Sequence, residues 1–289
     1  MTKVAIVRLE NRVSSAIDRA LGLIDAWPIS EQSRIVIKPN VCNPRNPCDM
    51  VNTSVDIVEH VVQVALKHSR DVTVVESDNI SGTADYRLSK TGFIDKIRQW
   101  GVRYVNLSRD EYEEHEVDGA RIGIPRTVLD CDYFINLPKM KTCAHTLVTL
   151  SLKNLFGVIV NPRKNKLHRH LDEILPYLAK CIRNDLIIVD GIVCMEGNGP
   201  VVGSPKQLDL IVAGTNPVDV DTVCSKIMGF EPSRIPHIAK SHELGLGQID
   251  VDGIDLSCEA LNAVCTRMEK PYSLKATIRS IRSAKQIYL

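Results

Sequence analysis

The amino-acid sequence predicts an α/β fold with a mostly parallel, doubly wound sheet, arranged as one or two α/β lobes. The 289 residues are 44% apolar but only 4% aromatic. Val, Ile and Leu supply most of this apolar content, and these residues are typical of strands buried on both faces. Short apolar runs also alternate with segments of helical periodicity. That order is typical of right-handed crossovers between parallel strands.

The first half of the chain shows this alternation most clearly. Apolar runs predict strands at residues 3–7, 34–38 and 71–75, and the second of them is stopped by Pro39. Helical periodicity predicts a helix at residues 13–26. A second helix is predicted after Thr53, which forms a capping-box pattern with Asp56 and precedes apolar residues spaced along one helical face.

The second half contains further strands and helices. Strands are predicted at residues 102–105 and 133–136, with a polar segment compatible with a hairpin between them, and at 186–189 and 208–212. Helices are predicted at 217–228, where Pro217 opens the first turn and Gly229 follows the end, and at 235–243. We place a boundary between an N-terminal lobe, residues 1–130, and a C-terminal lobe, residues 131–289. A single domain is the alternative.

Composition excludes several classes of protein. The 36 Lys and Arg residues nearly balance 35 Asp and Glu residues, which excludes a generally basic nucleic-acid binder, and the few aromatic residues argue against single-strand stacking platforms. No run approaches the roughly 18 apolar residues of a membrane span, and the N-terminus lacks a signal region. We therefore expect a cytoplasmic protein without a membrane partner, whose nine cysteines are reduced thiols or ligands.

Three polar or glycine-rich segments directly follow predicted strands, where open α/β sheets place their functional groups. The residues of interest are Lys38, Asn40, Cys42 and Cys48 in the first segment, Lys139, Lys141, Cys143 and His145 in the second, and Asp190, Glu196, Gly197 and Gly199 in the third. The glycines of the third segment match neither a P-loop nor a dinucleotide fingerprint. They would let backbone amides approach a ligand, or form a simple connection.

Charge is distributed unevenly between residues 133 and 171. This stretch has no acidic residue but carries the cations Lys139, Lys141, Lys153, Arg163, Lys164, Lys166 and Arg169. Such a block creates a positive field that attracts carboxylates or phosphates and lowers the pKa of nearby thiols. A solvated basic face is the alternative. Because cations flank His145 and His168, we favour an anion site.

Three cysteines differ from the six others, which lie in or beside apolar segments. Cys42, Cys48 and Cys143 are predicted to lie in polar loops after strands. Together with His145 and His168 they are the candidate ligands of a transition metal or iron–sulfur cluster, although their spacing matches no standard signature. A reactive thiol at Cys143 is the alternative use of that residue.

Several motifs resemble the domain-of-unknown-function family 362. They are residues 38–40, 138–142, 148–157, 190–191, 195–200 and 219–221, in the order of that family. The family's members often carry a ferredoxin-like iron–sulfur domain. This chain has none, so the resemblance implies a separate ferredoxin-like partner. The family pattern has His after the Pro-Lys-x-Lys-Thr run, whereas this chain has Cys143, a softer metal ligand or a changed nucleophile. A looser likeness to the nickel-pincer lactate racemases implies isomerase-type roles for His145, Lys153 and His168.

The leading hypothesis is an oxidoreductase- or isomerase-like enzyme that acts on a small anionic substrate with a metal or iron–sulfur cofactor. Lys38, Lys139 and Lys141 would bind the anion, and Asn40 and Asn154 would orient it. The predicted catalytic residues are Cys143, Lys153, Glu196 and Asp190. Two alternatives stay open, a non-catalytic electron-relay or binding protein that docks an acidic partner, and cofactor-free catalysis by a Cys143 thiolate.

Overall fold

The computed structural model of the protein describes residues 2–24, 30–161 and 163–288. The strands in this part of the chain are β1 (Lys3–Arg8), β2 (Ile35–Pro39), β3 (Val72–Glu76), β4 (Arg103–Asn106), β5 (Tyr112–Val117), β6 (Ala120–Pro125), β7 (Tyr133–Leu137), β8 (Lys139–Cys143), β9 (Leu147–Thr149), β10 (Leu186–Glu196), β11 (Ser204–Gly214) and β12 (Asp255–Cys258). The helices are α1 (Val13–Ile24), α2 (Val55–His68), α3 (Ala84–Lys90), α4 (Phe93–Trp100), α5 (Arg126–Leu129), α6 (Ser151–Leu155), α7 (Leu171–Cys181), α8 (Pro217–Ile227), α9 (Pro236–Glu243), α10 (Leu261–Val264) and α11 (Leu274–Tyr288).

A ten-stranded sheet organises the molecule and confirms the predicted α/β fold. Its main order is β12-β1-β11-β10-β7-β2-β3-β4, with β8 beside β10 and β9 beside β8. The neighbours β10, β7, β2, β3 and β4 are parallel, whereas β11 is antiparallel to both of its neighbours. The sheet is therefore mostly parallel, and it continues across residue 130 because β7 lies between β2 and β10.

Helices cover both faces of the central strands. Every residue of β2, β3 and β7 is buried. Ile37 packs into the core that contains Val58 of α2, whereas its neighbour Val36 packs into a second core that contains Leu175 of α7. Because successive strand residues point to opposite faces, the continuous apolar runs of these strands fill both cores.

Most predicted elements are present, but two strands are longer than predicted. The strand predicted at 186–189 extends to Glu196 as β10, so that Asp190 and Glu196 lie within it, and the strand predicted at 208–212 spans Ser204–Gly214 as β11. The polar segment between β4 and β7 contains the antiparallel hairpin of β5 and β6. The predicted helix at 13–26 is observed as α1, and its residues 25 and 26 lie outside the described residues. The capping-box prediction is wrong, since Ser54 is the N-cap of α2 and the Thr53 hydroxyl donates to the Leu137 carbonyl oxygen instead.

The segment after β7 is the main error in the fold prediction. We predicted a polar loop that contains Cys143, but the Lys139–Cys143 segment forms the fully buried strand β8, which pairs with β10 and β9. The alternating lysines resemble a solvated loop in sequence. Inside the protein their ammonium groups find polar partners, so the strand can be buried.

The carboxyl ends of β2 and β3 open toward β8, the short helix α6 and the 3-10 segment Lys164–His170. The C-terminal helix α11 packs beside the turn that follows β10. In the part of the chain that the structure describes, no helix is both long and apolar enough to cross a membrane.

Candidate functional site

A cavity of about 650 Å³ lies at the carboxyl ends of β2 and β3. It combines residues from distant parts of the chain because strand ends, α6 and two turns meet there. Its polar lining includes Lys38, Asn40, Cys42, Glu76, Ser77, Arg87, Lys141, Cys143, His145, Lys153, Asn154, Lys164, His168 and Asn198. Of the predicted site residues, those from the first two strand-end segments and the 153–168 stretch thus come together.

Lys38 forms the one ion pair of the described cavity lining. Its ammonium lies 3.2 Å from the Glu76 carboxylate and donates to the Pro39 carbonyl oxygen at 2.9 Å. Burial lowers the pKa of Lys38, although Glu76 opposes this effect. The backbone of Gly157 passes so close that a Cβ there would lie 2.7 Å from the Lys38 Nζ. The glycine is therefore needed for this packing.

Lys141 and Arg87 are buried but meet neutral partners. The Lys141 ammonium donates to Asn40 Oδ1 at 2.7 Å and to the Val51 carbonyl oxygen at 2.7 Å, and it lies 3.3 Å from Cys42 Sγ. Arg87 donates to the carbonyl oxygens of Val41 and Ser77, and its Nε has no hydrogen-bond partner. Neither cation forms an ion pair with a carboxylate of the described residues.

Lys153 and Lys164 complete the cationic lining. The Lys153 ammonium lies 4.0 Å from the centre of the Phe156 ring, a cation–π contact, and Lys164 donates to the Ser77 hydroxyl. Burial lowers the pKa of Lys153 to about 8 and that of Lys164 to about 7. The Lys141 charge lowers the pKa of Lys153 further, and the charges of Lys38 and Arg87 lower the pKa of Lys164 further.

Helix α6 positions Lys153 and Asn154 and is itself held by Asp221. The Asp221 carboxylate accepts from the backbone N–H of Ser151 at 2.8 Å and of Leu152 at 3.0 Å, and from the Ser151 hydroxyl. Burial raises the pKa of Asp221 to about 7. Asn154 in turn accepts from Asn40 at 3.1 Å and donates to Asn136 at 2.8 Å. Asn40 and Asn154, the two amides that were predicted to orient the ligand, thus help to hold the cations of the cavity in place.

The charges of the cavity do not balance. Glu76 is the only carboxylate among the described lining residues, against five cations. Of these cations only Lys38 has an ionic partner in the described part of the chain, which leaves Arg87, Lys141, Lys153 and Lys164 without one. A cavity of this kind concentrates anions, because low-dielectric walls strengthen the field of its charges.

Cys143 lies at the end of β8 and is 1% exposed. Burial opposes ionisation of its thiol, but the Lys153 ammonium and hydrogen bonds from Thr146 and the His145 backbone outweigh it. The pKa of Cys143 is therefore below its ordinary value. The thiolate is the nucleophilic form of cysteine. The lowered pKa favours this form at Cys143, which lines the cationic cavity.

His145 and His168 stack at one side of the cavity. Their ring centres are 4.3 Å apart, and the His168 ring also lies 5.8 Å from that of Phe156. Burial, with the nearby Lys153 charge, lowers the pKa of both histidines, that of His168 to about 4. A lowered pKa favours the neutral imidazole at pH 7, in which one ring nitrogen can donate a hydrogen bond and the other can accept one.

The structure does not assemble the five predicted metal ligands as one group. Cys42, Cys143, His145 and His168 line the cavity, but Cys48 is exposed and lies outside its lining. Within residues 2–24, 30–161 and 163–288, no group of three or more His, Cys, Asp or Glu side chains is placed to hold a metal ion. The metal or iron–sulfur cofactor therefore stays a prediction.

Lys139 and Asp190, which were predicted to act in substrate binding and catalysis, lie outside the cavity lining. Their side chains form a buried ion pair at 2.8 Å, and Asp190 also accepts from the backbone N–H of Ser54 and of Ile192. Each polar side-chain atom of this pair has at least one hydrogen-bond partner within the protein. The pair joins β8, β10 and the start of α2.

Replacing Lys139 with methionine is expected to lower the free energy of unfolding by about 3–5 kcal/mol, because it leaves the buried Asp190 charge unpaired. Adding Asp190→Asn should recover much of this loss. Urea unfolding of the single and double variants measures both effects. Arg98→Met, which breaks an exposed ion pair with Asp95, is the control and should change stability by about 0.5 kcal/mol or less. An equally small effect of Lys139→Met would contradict this structural role.

Glu196 is also outside the cavity lining and is bound elsewhere. Its carboxylate accepts from Arg279 of α11 at 3.0 Å and from the Glu269 backbone N–H at 3.1 Å. The Glu196 carboxylate therefore anchors the C-terminal segment, and its role in proton transfer stays a prediction. Sequence alone did not indicate a partner 83 residues away.

The two predicted glycines of the third segment differ. Gly199 lines the cavity, and a Cβ there would lie 1.9 Å from the Thr142 carbonyl oxygen. Its own carbonyl oxygen accepts from the Ala144 N–H at 3.0 Å, so it packs the turn tightly against the end of β8. Gly197 lies outside the lining and contacts Ala276 of α11.

Three charged residues of the described cavity lining were not among the site residues predicted from the sequence. Glu76 occupies the last position of β3, so the rule that placed Lys38 at a strand end could have found it. Lys164 belongs to the acid-free block, but nothing in the sequence separates it from the exposed Lys166. Arg87 had no local signal, because it reaches the cavity from within α3.

Comparison with known proteins gives two similar proteins and one matching family. A thylakoid-associated protein of Synechocystis sp. is 29% identical over 222 residues, which cover 74% of this chain and 68% of the relative. A crystal structure of a Thermotoga maritima protein is similar at 10% identity with a TM-score of 0.41. The similarity covers 76% of this chain but only 60% of that protein. The profile of the domain of unknown function DUF362 matches residues 35–226, which contain every described lining residue except Tyr272. The chain therefore belongs to the DUF362 family.

Proposed function

We propose that the protein is an enzyme that binds a small carboxylate or phosphate in the cavity and attacks it with the Cys143 thiolate. One observation carries the proposal. Four cations of the described lining lack a carboxylate partner, and the buried thiol with the lowered pKa faces the same space. Burying unpaired cations costs free energy, and a bound anion would recover part of that cost.

Each residue has a role in this proposal. Lys141, Lys153 and Lys164 bind the anionic group of the ligand. Asn40 accepts a hydrogen bond from Lys141 and is itself held by Asn154. The ligand carries an electrophilic carbonyl group beside its anionic group. As the Cys143 sulfur bonds to the carbonyl carbon, the π electron pair of the carbonyl moves to its oxygen. The charge that develops on the ligand oxygen is stabilised by the ammonium groups.

The burial of the basic block favours a ligand inside the protein over a docked acidic protein. Lys139, Lys141 and Lys164 are buried, and Lys153 is half-buried. Only Arg163, Lys166 and Arg169 of the seven cations are exposed. A ferredoxin-like partner on the surface would therefore contact only the minority of the cations in this block that are exposed.

Alkylation of the native protein tests the proposal directly. Relative to the exposed Cys48, Cys258 and Cys265, Cys143 should prefer anionic iodoacetate over neutral iodoacetamide by about tenfold, because the cavity concentrates anions. Inorganic phosphate or acetate should suppress this reaction in a saturable manner. Peptide mass spectrometry measures all four sites in the same sample.

The exposed cysteines are the internal controls, and Cys143→Ser identifies the reactive site. If Cys143 shows the same reagent preference as the exposed thiols, the cavity does not select anions. If the preference is present but neither anion protects the thiol, the cavity does not bind the proposed class of ligand.

A further inference from the structure

The cavity has an apolar wall in addition to its cations. Val41, Phe156, Val201 and Val202 line it together with the charged groups. A free phosphate or a short carboxylate would use the cations but would not extend along these apolar side chains. The volume of about 650 Å³ lies within the range of sites that enclose whole organic ligands, about 300–1,000 Å³.

Two large apolar side chains on the cavity lining face solvent. Ile80 is 89% exposed and Tyr272 is 71% exposed, and both contribute to the wall. Their backbones are fixed. Ile80 lies in a turn closed by two hydrogen bonds between Asn79 and Gly82, and the Tyr272 N–H donates to Asn198 at 2.7 Å.

Single exposed apolar residues are ordinary on protein surfaces. Here two of them, which come from distant parts of the sequence, continue the apolar wall of one cavity to its opening. The cavity thus offers ammonium groups within and an apolar path to the outside. Such an arrangement is complementary to a molecule with two chemically different ends.

We infer that the ligand is an amphiphile whose anionic head contacts Lys141, Lys153 and Lys164 and whose apolar tail leaves past Ile80 and Tyr272. This inference rests on the proposed function, since it names the substrate class of the same site. Each methylene that the apolar wall removes from water should strengthen binding by about fourfold.

Titration with two probe series tests the inference. The first is methyl, octyl and dodecyl phosphate, and the second is acetate, octanoate and dodecanoate, all kept below their critical micelle concentrations. In at least one series the dissociation constant should fall by 100-fold or more from the shortest to the longest member. The double variant Ile80→Ser/Tyr272→Ser should lose at least tenfold of this gain and bind the shortest member unchanged. Leu244→Ser replaces an exposed apolar residue outside the cavity lining. It should change neither the gain along the series nor the affinity for the shortest member.

The outcomes separate the two proposals. Binding of the short anions without any increase along either series would overturn the amphiphile and leave the proposed function intact. An increase that the double variant does not reduce would also overturn the inference, because the tail would then not pass Ile80 and Tyr272. Failure of every probe to bind would contradict the proposed function itself.

Discussion

Replacing Lys153 with methionine is expected to slow the alkylation of Cys143 at pH 7 by about tenfold and to move its pH profile to higher pH. The Lys153 ammonium lowers the pKa of Cys143 more than any other group near it. Without that charge, burial raises the pKa of the thiol, and a smaller fraction is ionised at pH 7. Methionine keeps an apolar side chain of similar length against Phe156, so the local packing should persist.

The measurement is the rate of Cys143 alkylation by iodoacetamide between pH 5 and pH 10. A neutral reagent is used so that the loss of a cation does not also change attraction of the reagent. Lys166→Met removes an exposed cation of the same basic block and should leave the profile unchanged. An unchanged profile in Lys153→Met would show that Thr146 and the backbone N–H groups maintain the thiolate without the lysine.

The strands show how far local sequence patterns reach. Strands β2, β3 and β7 were predicted because short continuous apolar runs are typical of sheets that are buried on both faces. The position of functional groups beyond strand ends then placed Lys38, Asn40 and Cys42 in one site. These predictions needed only residues close together in sequence and the general behaviour of parallel sheets.

Charge pairing set the limit of prediction. Lys139 and Lys141 could not be distinguished from the sequence. In the structure Lys139 forms a buried ion pair with Asp190, whereas Lys141 donates to neutral oxygens and lines the cavity. Which lysine is neutralised depends on a contact across 51 residues. The same applies to Glu196, whose partner Arg279 lies on the last helix. Local spacing carries no information about such contacts.

The binding of an anion is expected to weaken as pH rises from 6 to 9. Lys164 has a pKa of about 7 and Lys153 of about 8 because burial disfavours their charged forms. Above these values the ammonium groups lose their protons and no longer attract an anion. Binding at pH 8 must therefore take up roughly one proton, since the bound anion restores the charged lysines.

Calorimetric titration with sulfate in buffers of different ionisation enthalpy measures both the affinity and the proton uptake. Sulfate keeps its charge over this pH range, and the Cys143→Ser background removes the competing charge of the thiolate. At pH 6, Lys164→Gln should weaken binding by roughly 10- to 150-fold, as expected for a charge-assisted hydrogen bond worth about 1.5–3 kcal/mol. The affinity of Lys164→Gln for sulfate should change little between pH 6 and pH 7. At higher pH only the deprotonation of Lys153 should weaken its binding. Lys166→Gln should behave like the parent protein, because this exposed lysine lies outside the cavity. Equal proton uptake in Lys164→Gln and the parent would show that Lys164 does not bind the anion.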